Sequence, residues 1–252
     1  RAHQQHSTLH ISFLRDWWEK KESKHAVAKL LPQLENIYAA WDWAFQQQDF
    51  GALSRSTLAM TQFHIHAGLL WDMHVRANGY QQRLHEQISQ SNQTKQSSQV
   101  SLDSGPIVPE AFQEIQVALN QMRGILHFEL SDYVTATMLL QQSIEAATKH
   151  HYHYLLSNNE CTLGNICRLT QRLSEAQQHY ERAEQIAKTE QQPYLLIQAQ
   201  LQLAQLANQQ ADAETSRRYL KNVESLLRQY PDENFEAHYQ NIYGTLCQSE
   251  GH

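Results

Sequence analysis

Residues 163–183 read LGNICRLTQRLSEAQQHYERA, and related residues return every forty positions along the second half of the chain. Counting in steps of forty from Gly124 gives Gly164, Ala204 and Gly244. Three further series keep the same register: Ala136, Ala176 and Ser216; Leu140, Tyr180 and Leu220; Ser143, Ala183 and Val223. Self-similarity with a period of roughly 20 to 50 residues is typical of solenoid proteins. Small residues recur where two helices would approach closely, which predicts stacked helix pairs.

The composition favours helices and argues against several functional classes. The chain has 252 residues with only 8 Gly and 5 Pro, too few turn formers for a sheet of many short strands. Its formal net charge is −6, and residues 109–252 carry 10 basic and 17 acidic groups. A surface of that sign repels a phosphate backbone, so direct binding to nucleic acid is disfavoured.

Cysteine usage and hydropathy point to a cytoplasmic location. Cys161, Cys167 and Cys247 form no CxxC pair, which favours a reducing compartment. No apolar run approaches about 18 residues and no signal-peptide segment opens the chain, so neither a membrane span nor export is expected. Because the chain begins at Arg1 rather than Met and ends after an unpaired helix, we interpret it as part of a longer polypeptide.

Hydrophobic periodicity predicts an all-α fold, an α–α superhelix of antiparallel helix pairs with about eleven helices. The predicted helices are 4–22, 25–48, 52–67, 70–89, 109–130, 132–149, 152–170, 173–189, 193–210, 212–229 and 233–249. Residues 90–108 open with a Ser, Gln and Asn run that lacks apolar periodicity, so we expect a flexible insertion there. The alternative is a recognition segment that folds on a partner. The predicted domains are N-terminal helical repeats at 1–89, the insertion at 90–108, and forty-residue repeats at 109–252.

The recurring residues resemble a tetratricopeptide repeat. Leu163-Gly164 stands midway along the first helix of a pair, and Ala176, Tyr180 and Ala183 follow along the second. The chain departs from that motif in three ways: the motif's helix-ending Pro is absent, and the period of forty exceeds the usual length of about 34 residues. In addition, the motif's first-helix Trp is replaced in successive repeats by Asn120, Glu160 and Gln200.

The N-terminal third resembles a segment of signal-transduction ATPases with numerous domains, the STAND class. Residues 34–44 read LENIYAAWDWA, and Asp49-Phe50 follows after a short gap. This is similar to a signature that follows the nucleotide-binding and winged-helix modules of large ATP-binding regulators of the LuxR and antibiotic-regulatory types. His6 and His10, ahead of an aromatic-rich helix, also fit that family. The resemblance implies a sensor arm that binds an inducer or partner and controls an ATPase switch elsewhere in the full-length protein.

No arrangement of reactive residues predicts catalysis, a metal or a cofactor. The sequence has no Gly-x-x-x-x-Gly-Lys-[Ser/Thr] loop for phosphates and no Gly-x-Ser-x-Gly nucleophile elbow. His6 and His10 share a helix face but lack a third ligand at workable spacing. The other His and Cys clusters are interpreted as packing or surface residues: His64 and His66; His150, His151 and His153; Cys161 and Cys167. We therefore predict that the chain is not an enzyme.

The tetratricopeptide resemblance also assigns a concave face. Carried onto this frame, its groove positions include Asn158, Asn165, Arg168, Gln198, Gln205, Asn208, His238 and Asn241. Amides can pair with an extended peptide backbone or a sugar hydroxyl, and Arg can grip a carboxylate. We hypothesise a polar groove centred on Asn165 and Arg168; the alternative is that these are ordinary solvated positions.

The favoured function is a non-catalytic sensor or protein-interaction repeat domain of a STAND-type signalling and transcriptional regulator. Its expected partners are a protein or small effector on the concave face and the chain's own nucleotide-binding module in the full-length protein. Two alternatives stay open: a stand-alone peptide-binding tetratricopeptide scaffold, and an enzyme subunit or small-molecule binding protein.

Overall fold

A computed structural model describes residues 24–96 and 110–249, and within those ranges the chain contains helices and no strands. The α-helices are α1 Lys24–Leu30, α2 Leu34–Gln46, α3 Phe50–Ala67, α4 Leu70–Gln96, α5 Glu110–Glu129, α6 Tyr133–Lys149, α7 Leu156–Leu169, α8 Leu173–Thr189, α9 Pro193–Gln209, α10 Ala213–Gln229 and α11 Glu233–Ser249. The predicted all-α fold of stacked antiparallel helix pairs is confirmed. The helix expected at 4–22 lies outside the described residues. None of the described helices is long and apolar enough to span a membrane.

The helix predicted at 25–48 is interrupted. A 3₁₀ turn at Leu31–Gln33 separates α1 from α2, so the prediction of one continuous helix was wrong at this point. Pro32 has no N–H to donate, and its ring crowds the carbonyl four residues earlier, so regular α-helical bonding stops after Leu30. The Leu34 N–H closes the 3₁₀ turn by bonding to the carbonyl of Leu31, three residues earlier, and α2 begins at Leu34.

One turn geometry recurs at helix ends with a spacing of twenty residues. Ser131, His151, Gln171, Gln191 and Ala211 all have a left-handed backbone, with φ between 53° and 62°. After each of them the next residue's N–H bonds back to the carbonyl five residues earlier, at 2.8–2.9 Å. This is the bonding of a Schellman motif, which usually places glycine at the left-handed position.

We therefore expect Gln171→Gly to stabilise the second unit by about 0.5 kcal/mol. The left-handed backbone costs a non-glycine residue roughly 1 kcal/mol, and the greater freedom of an unfolded glycine cancels part of that gain. The matched control is Gln178→Gly in the exposed interior of α8, which should destabilise by about 0.5–1 kcal/mol. Chemical denaturation followed by circular dichroism measures both; a loss of stability in Gln171→Gly would contradict the prediction.

The glycine series of the repeat marks close helix crossings. A Cβ at Gly164 would lie 2.4 Å from Cε1 of Tyr180, and one at Gly124 would lie 2.7 Å from Cγ of Leu140. The expectation that small residues sit where helices touch is confirmed at these two positions. At Gly244 a Cβ would meet nothing within 4 Å, since no helix follows α11 in the described part of the chain.

The first of two compact units extends to Ala146. Its core is centred on Trp41 and Tyr80, both at most 1% exposed, and it continues into α5 through Ile115 and Leu119. The core therefore has no break at residue 109, where a domain boundary is predicted. Helix α4 runs to Gln96 rather than ending near residue 89, and residues 97–109 lie outside the described ranges.

The second unit begins at Ala147 and contains two antiparallel pairs, α7 with α8 and α9 with α10, followed by α11. Each pair buries its apolar faces against the next, as a solenoid requires. Tyr180 packs with Leu203 and Leu206 of the following pair, and Leu201 packs with Ile242 of α11. This packing fixes the first helix of each repeat, where the predicted groove residues stand.

Candidate functional site

Seven of the predicted groove residues, all of them polar amides or Arg168, lie on the first helices of successive repeats in the second unit. They are Asn158, Asn165 and Arg168 on α7, Gln198, Gln205 and Asn208 on α9, and Asn241 on α11. Their exposure differs: Asn158 is buried, Asn241 is exposed and the other five are half-buried. The structure brings some of them into contact and leaves others apart.

Two of the amides connect neighbouring repeats. The Gln198 side chain donates to Oδ1 of Asn158 at 3.4 Å, across equivalent positions forty residues apart. The Asn208 side chain donates to the carbonyl of Ile242 at 3.0 Å and to the hydroxyl of Thr245 at 3.1 Å. Asn158 and Asn208 therefore hold helices together rather than standing as free lining groups. Each nevertheless keeps one buried amide atom, Nδ2 and Oδ1 respectively, without a partner in the described ranges.

Asn165 is held by the buried tyrosine of the same repeat. The Tyr180 hydroxyl donates to Oδ1 of Asn165 at 2.7 Å, while its ring packs against Gly164. Burial raises the pKa of the Tyr180 hydroxyl, so it stays protonated and remains a donor at neutral pH. Asn165 thus has a fixed orientation, with its amide N–H groups left for other contacts.

Arg168 is a half-buried cation without a counter-charge. Within the described ranges no carboxylate pairs with it, and its buried Nε has no hydrogen-bond partner. Burial lowers the pKa of His238 on α11, and the charge of Arg168 lowers it further, so that the imidazole is neutral at pH 7. A guanidinium in this setting matches a carboxylate, because both are planar and can form two parallel hydrogen bonds.

Gln205 and Asn241 differ from the amides above. Gln205 is half-buried and Asn241 is exposed, and no hydrogen bond of either side chain is found in the part of the chain described. Both side chains are therefore available to a partner.

A buried carboxylate occupies one position where the tetratricopeptide motif has Trp. Glu160 accepts hydrogen bonds from Nδ1 of His179 at 2.7 Å and from Nε of Arg182 at 3.2 Å, both on α8. Its side chain is 8% exposed. In this repeat the contact between the paired helices is thus polar rather than aromatic. The sequence shows the departure from the motif at Glu160, but only the fold shows which residues of α8 compensate for it.

A second polar network, in the first unit, was not anticipated from the sequence. His64 is fully buried; its Nδ1 donates to the carbonyl of Met60 at 2.7 Å, and its Nε2 lies 2.6 Å from the Tyr38 hydroxyl. The same hydroxyl contacts Asp72, and its single proton can be donated to that carboxylate or to Nε2 of His64, but not to both at once. Arg76 donates to Asp72 at 3.2 Å and places its guanidinium 3.4 Å from the centre of the Tyr38 ring. The network joins α2, α3 and α4, so its role is structural.

The interpretation of His64 as a packing residue is consistent with this burial. Burial lowers the pKa of His64 to about 4, which keeps the imidazole neutral at physiological pH. The i,i+4 spacing of Asp72 and Arg76 was the one sequence signal available for the network. Their connection to Tyr38 and His64 depends on how three helices pack.

The described residues offer no metal site, and the two buried cysteines are not activated thiols. No group of three or more His, Cys, Asp or Glu side chains among them could hold a metal ion. Burial raises the pKa of Cys161 to about 12 and also raises that of Cys167, so both thiols stay protonated. His6 and His10 lie outside the described ranges.

Comparison with known proteins supports the repeat assignment. Residues 114–189 match the family model described as tetratricopeptide repeat. No curated protein matches the chain. The matched segment runs from within α5 to the end of α8 and contains both close glycine crossings. The chain therefore contains a tetratricopeptide-like repeat region, a fold that generally serves as a protein-interaction scaffold.

Proposed function

We propose that the chain is the non-catalytic sensor or protein-interaction arm of a larger, cytoplasmic STAND-type regulator of transcription. In this proposal a partner binds the concave face of the second unit, at the first helices of its repeats. The observation that carries the proposal is Arg168, a half-buried cation whose Nε has no hydrogen-bond partner and which forms no ion pair within the described ranges. Its complement is a carboxylate on an extended peptide or a small effector.

The amides on the first helices of the repeats support a peptide as the partner. Asn165, Gln205 and Asn241 present amide groups on three successive repeats. An extended peptide exposes an N–H and a carbonyl at every residue, and amide side chains can satisfy both. The groove would thus supply backbone recognition along its length and charge recognition at Arg168.

The N-terminal signature supports the regulator context. In α2 Trp41 and Ala44 of the LENIYAAWDWA stretch are fully buried. The signature therefore forms part of the first unit's core, as expected of a segment that defines a family's architecture. The regulatory mechanism would be a population shift: a partner that binds one conformation of the arm more tightly biases the attached nucleotide-binding module.

Replacing Arg168 tests the binding face. We expect Arg168→Gln to weaken binding of glutamate-containing, end-capped hexapeptides by about tenfold or more, because a charge-assisted hydrogen-bond pair is lost. A library scanning Glu against Gln at each position, read by fluorescence polarisation, supplies the probes. Arg172→Gln is the matched control, since Arg172 is exposed and pairs with Glu175 at 3.1 Å. Equal binding by Arg168→Gln and wild type would refute the proposal.

Asn165 is unsuitable for the same test. Asn165→Ala would leave the buried Tyr180 hydroxyl without its acceptor, so a loss of binding would be confused with a loss of stability.

The gene that encodes the chain distinguishes the regulator from a stand-alone scaffold. We expect its full reading frame to encode a phosphate-binding loop upstream of these repeats and a DNA-binding domain at either end. A complete reading frame that encodes only helical repeats would contradict the regulator and leave the peptide-binding scaffold as the function.

A further inference from the structure

A polar groove on the first unit is independent of the face described above. It is formed by α4 and α5 and has a volume of about 610 Å³. Asn78, Gln81, His85 and Glu86 line it from α4, and Arg123 lines it from α5. Asn78, Gln81 and His85 are three and four residues apart and so share one face of α4, and Glu86 follows directly after His85. The volume is typical of sites that bind small molecules.

Arg123 is fixed in this groove by one edge of its guanidinium. Its Nε donates to Oδ1 of Asn78 at 3.0 Å, and the Asn78 amide lies 3.1 Å from Nε2 of His74. The two terminal nitrogens have no partner among residues 24–96 and 110–249. Burial lowers the pKa of Arg123, which shows that its charge is partly desolvated, yet no carboxylate in those ranges compensates it. A planar carboxylate would pair with both terminal nitrogens.

Acceptors face the same groove. Gln81 is 7% exposed; its amide nitrogen lies 2.7 Å from Nε2 of His85, and its Oε1 has no partner in the described ranges. Buried polar atoms are seldom left unpaired, so Oε1 marks a place for an N–H donor. Glu86 accepts a hydrogen bond from Gln82 at 3.0 Å and forms no ion pair with Arg123. The groove thus combines a free cationic donor with two acceptors, one of them charged.

We propose that this groove binds a carboxylate that also carries an N–H donor, either as a free amino acid or as the C-terminal residue of a peptide. The carboxylate would pair with the terminal nitrogens of Arg123. The amino or amide group would donate to Oε1 of Gln81 and to the carboxylate of Glu86. A simple carboxylate would gain the first contact but would be repelled by Glu86.

Tryptophan emission allows binding to be measured on the first unit alone. The chain has five tryptophans, Trp17, Trp18, Trp41, Trp43 and Trp71, and all belong to this unit. The probes are the standard free L-amino acids, Gly-Gly-X tripeptides with a free C-terminus, the same tripeptides amidated, and succinate. Titration calorimetry gives affinities, and the thermal midpoint from tryptophan emission provides a second readout. We expect at least one free amino acid or free-ended tripeptide to bind, and succinate and amidated peptides to bind about tenfold more weakly or not at all.

Three variants locate the site. Arg123→Gln should weaken binding by about tenfold or more while the thermal midpoint changes little, since the hydrogen bond to Asn78 is lost but no ion pair is. If Arg123→Gln does not fold, Arg123→Lys keeps the charge but loses the bidentate geometry, and the same weakening is expected. Glu86→Gln should reduce the preference for amino acids over succinate. Arg55→Gln, an exposed arginine on α3, is the control and should leave binding unchanged.

Separate variants test the two proposed sites, so either proposal can be refuted without the other. Arg168→Gln should leave amino-acid binding to the first unit intact, and Arg123→Gln should leave peptide binding to the second unit intact. The inference is overturned if none of these probes binds, if amidated and free-ended tripeptides bind equally, or if binding survives in the folded Arg123 variant.

Discussion

Gly164→Ala is expected to destabilise the second unit by about 3 kcal/mol, and Gly244→Ala to stabilise it by about 0.5–1 kcal/mol. The added methyl at Gly164 would lie 2.4 Å from the Tyr180 ring. Tyr180 is fully buried and fixed by its hydrogen bond to Asn165, so the ring cannot move aside without breaking that bond. The helices α7 and α8 must separate, and the surrounding core loses its packing.

Gly244 provides the matched control because it occupies the same place in the forty-residue register. Nothing lies within 4 Å of a Cβ built there, so alanine brings only its better helix propensity. Unfolding in guanidinium chloride, followed by far-UV circular dichroism, gives both free energies. A cost below 1 kcal/mol for Gly164→Ala, or a cost of similar size at both glycines, would show that the crossing is looser than the structure indicates.

Acidification from pH 7 to pH 4 is expected to lower the free energy of unfolding of the first unit by up to about 3 kcal/mol through His64. The pKa of His64 is lowered from 6.5 to about 4, chiefly by burial. Between pH 6.5 and pH 4 the unfolded chain therefore binds a proton at His64, whereas the folded chain does not. The contribution of His64 to the free energy of unfolding is fully present above pH 6.5 and is lost as the pH falls toward 4.

Tryptophan emission again isolates the first unit, and urea titrations between pH 4 and pH 7.5 give the free energies. Asp72 faces His64 and opposes part of the pKa shift, while Arg76 adds to it. We expect His64→Gln to be less stable at pH 7 but to have a flatter pH profile, because the titrating group is gone. His66→Gln, at an exposed position of the same helix, is the control. A His64→Gln profile as steep as that of wild type would contradict the assignment.

The sequence predicted the helix pairs of the fold but missed one helix break. The forty-residue register predicted the helix pairs and the close crossings at Gly124 and Gly164. Because glycine is unfavourable inside a helix, a glycine that recurs there indicates that a neighbouring helix takes the place of its side chain. The break at Pro32 was missed although the proline is visible, because the apolar periodicity continues across it. At this point the apolar periodicity predicts a continuous helix and the single proline predicts a break, and the structure follows the proline.

The candidate sites depend more heavily on the fold. Arg168 was predicted from its place in the repeat, but its lack of a carboxylate partner is a property of the packed molecule. Arg123 was not predicted at all. It meets Asn78 across 45 residues, and the two share no register in the repeat.

The helical class, the period of the repeat and the positions at which helices touch can be predicted from the amino-acid sequence alone, because they follow from residue spacings within one or two neighbouring helices. Which polar groups are paired and which stand alone, in contrast, follows from how the helices pack. Pairing depends on which side chains meet where helices pack, as at Tyr38 with His64, Glu160 with His179 and Arg123 with Asn78, and no spacing in the chain indicates these meetings. That Arg168 and Arg123 form no ion pair in the described ranges can therefore be recognised only from the side chains packed around them.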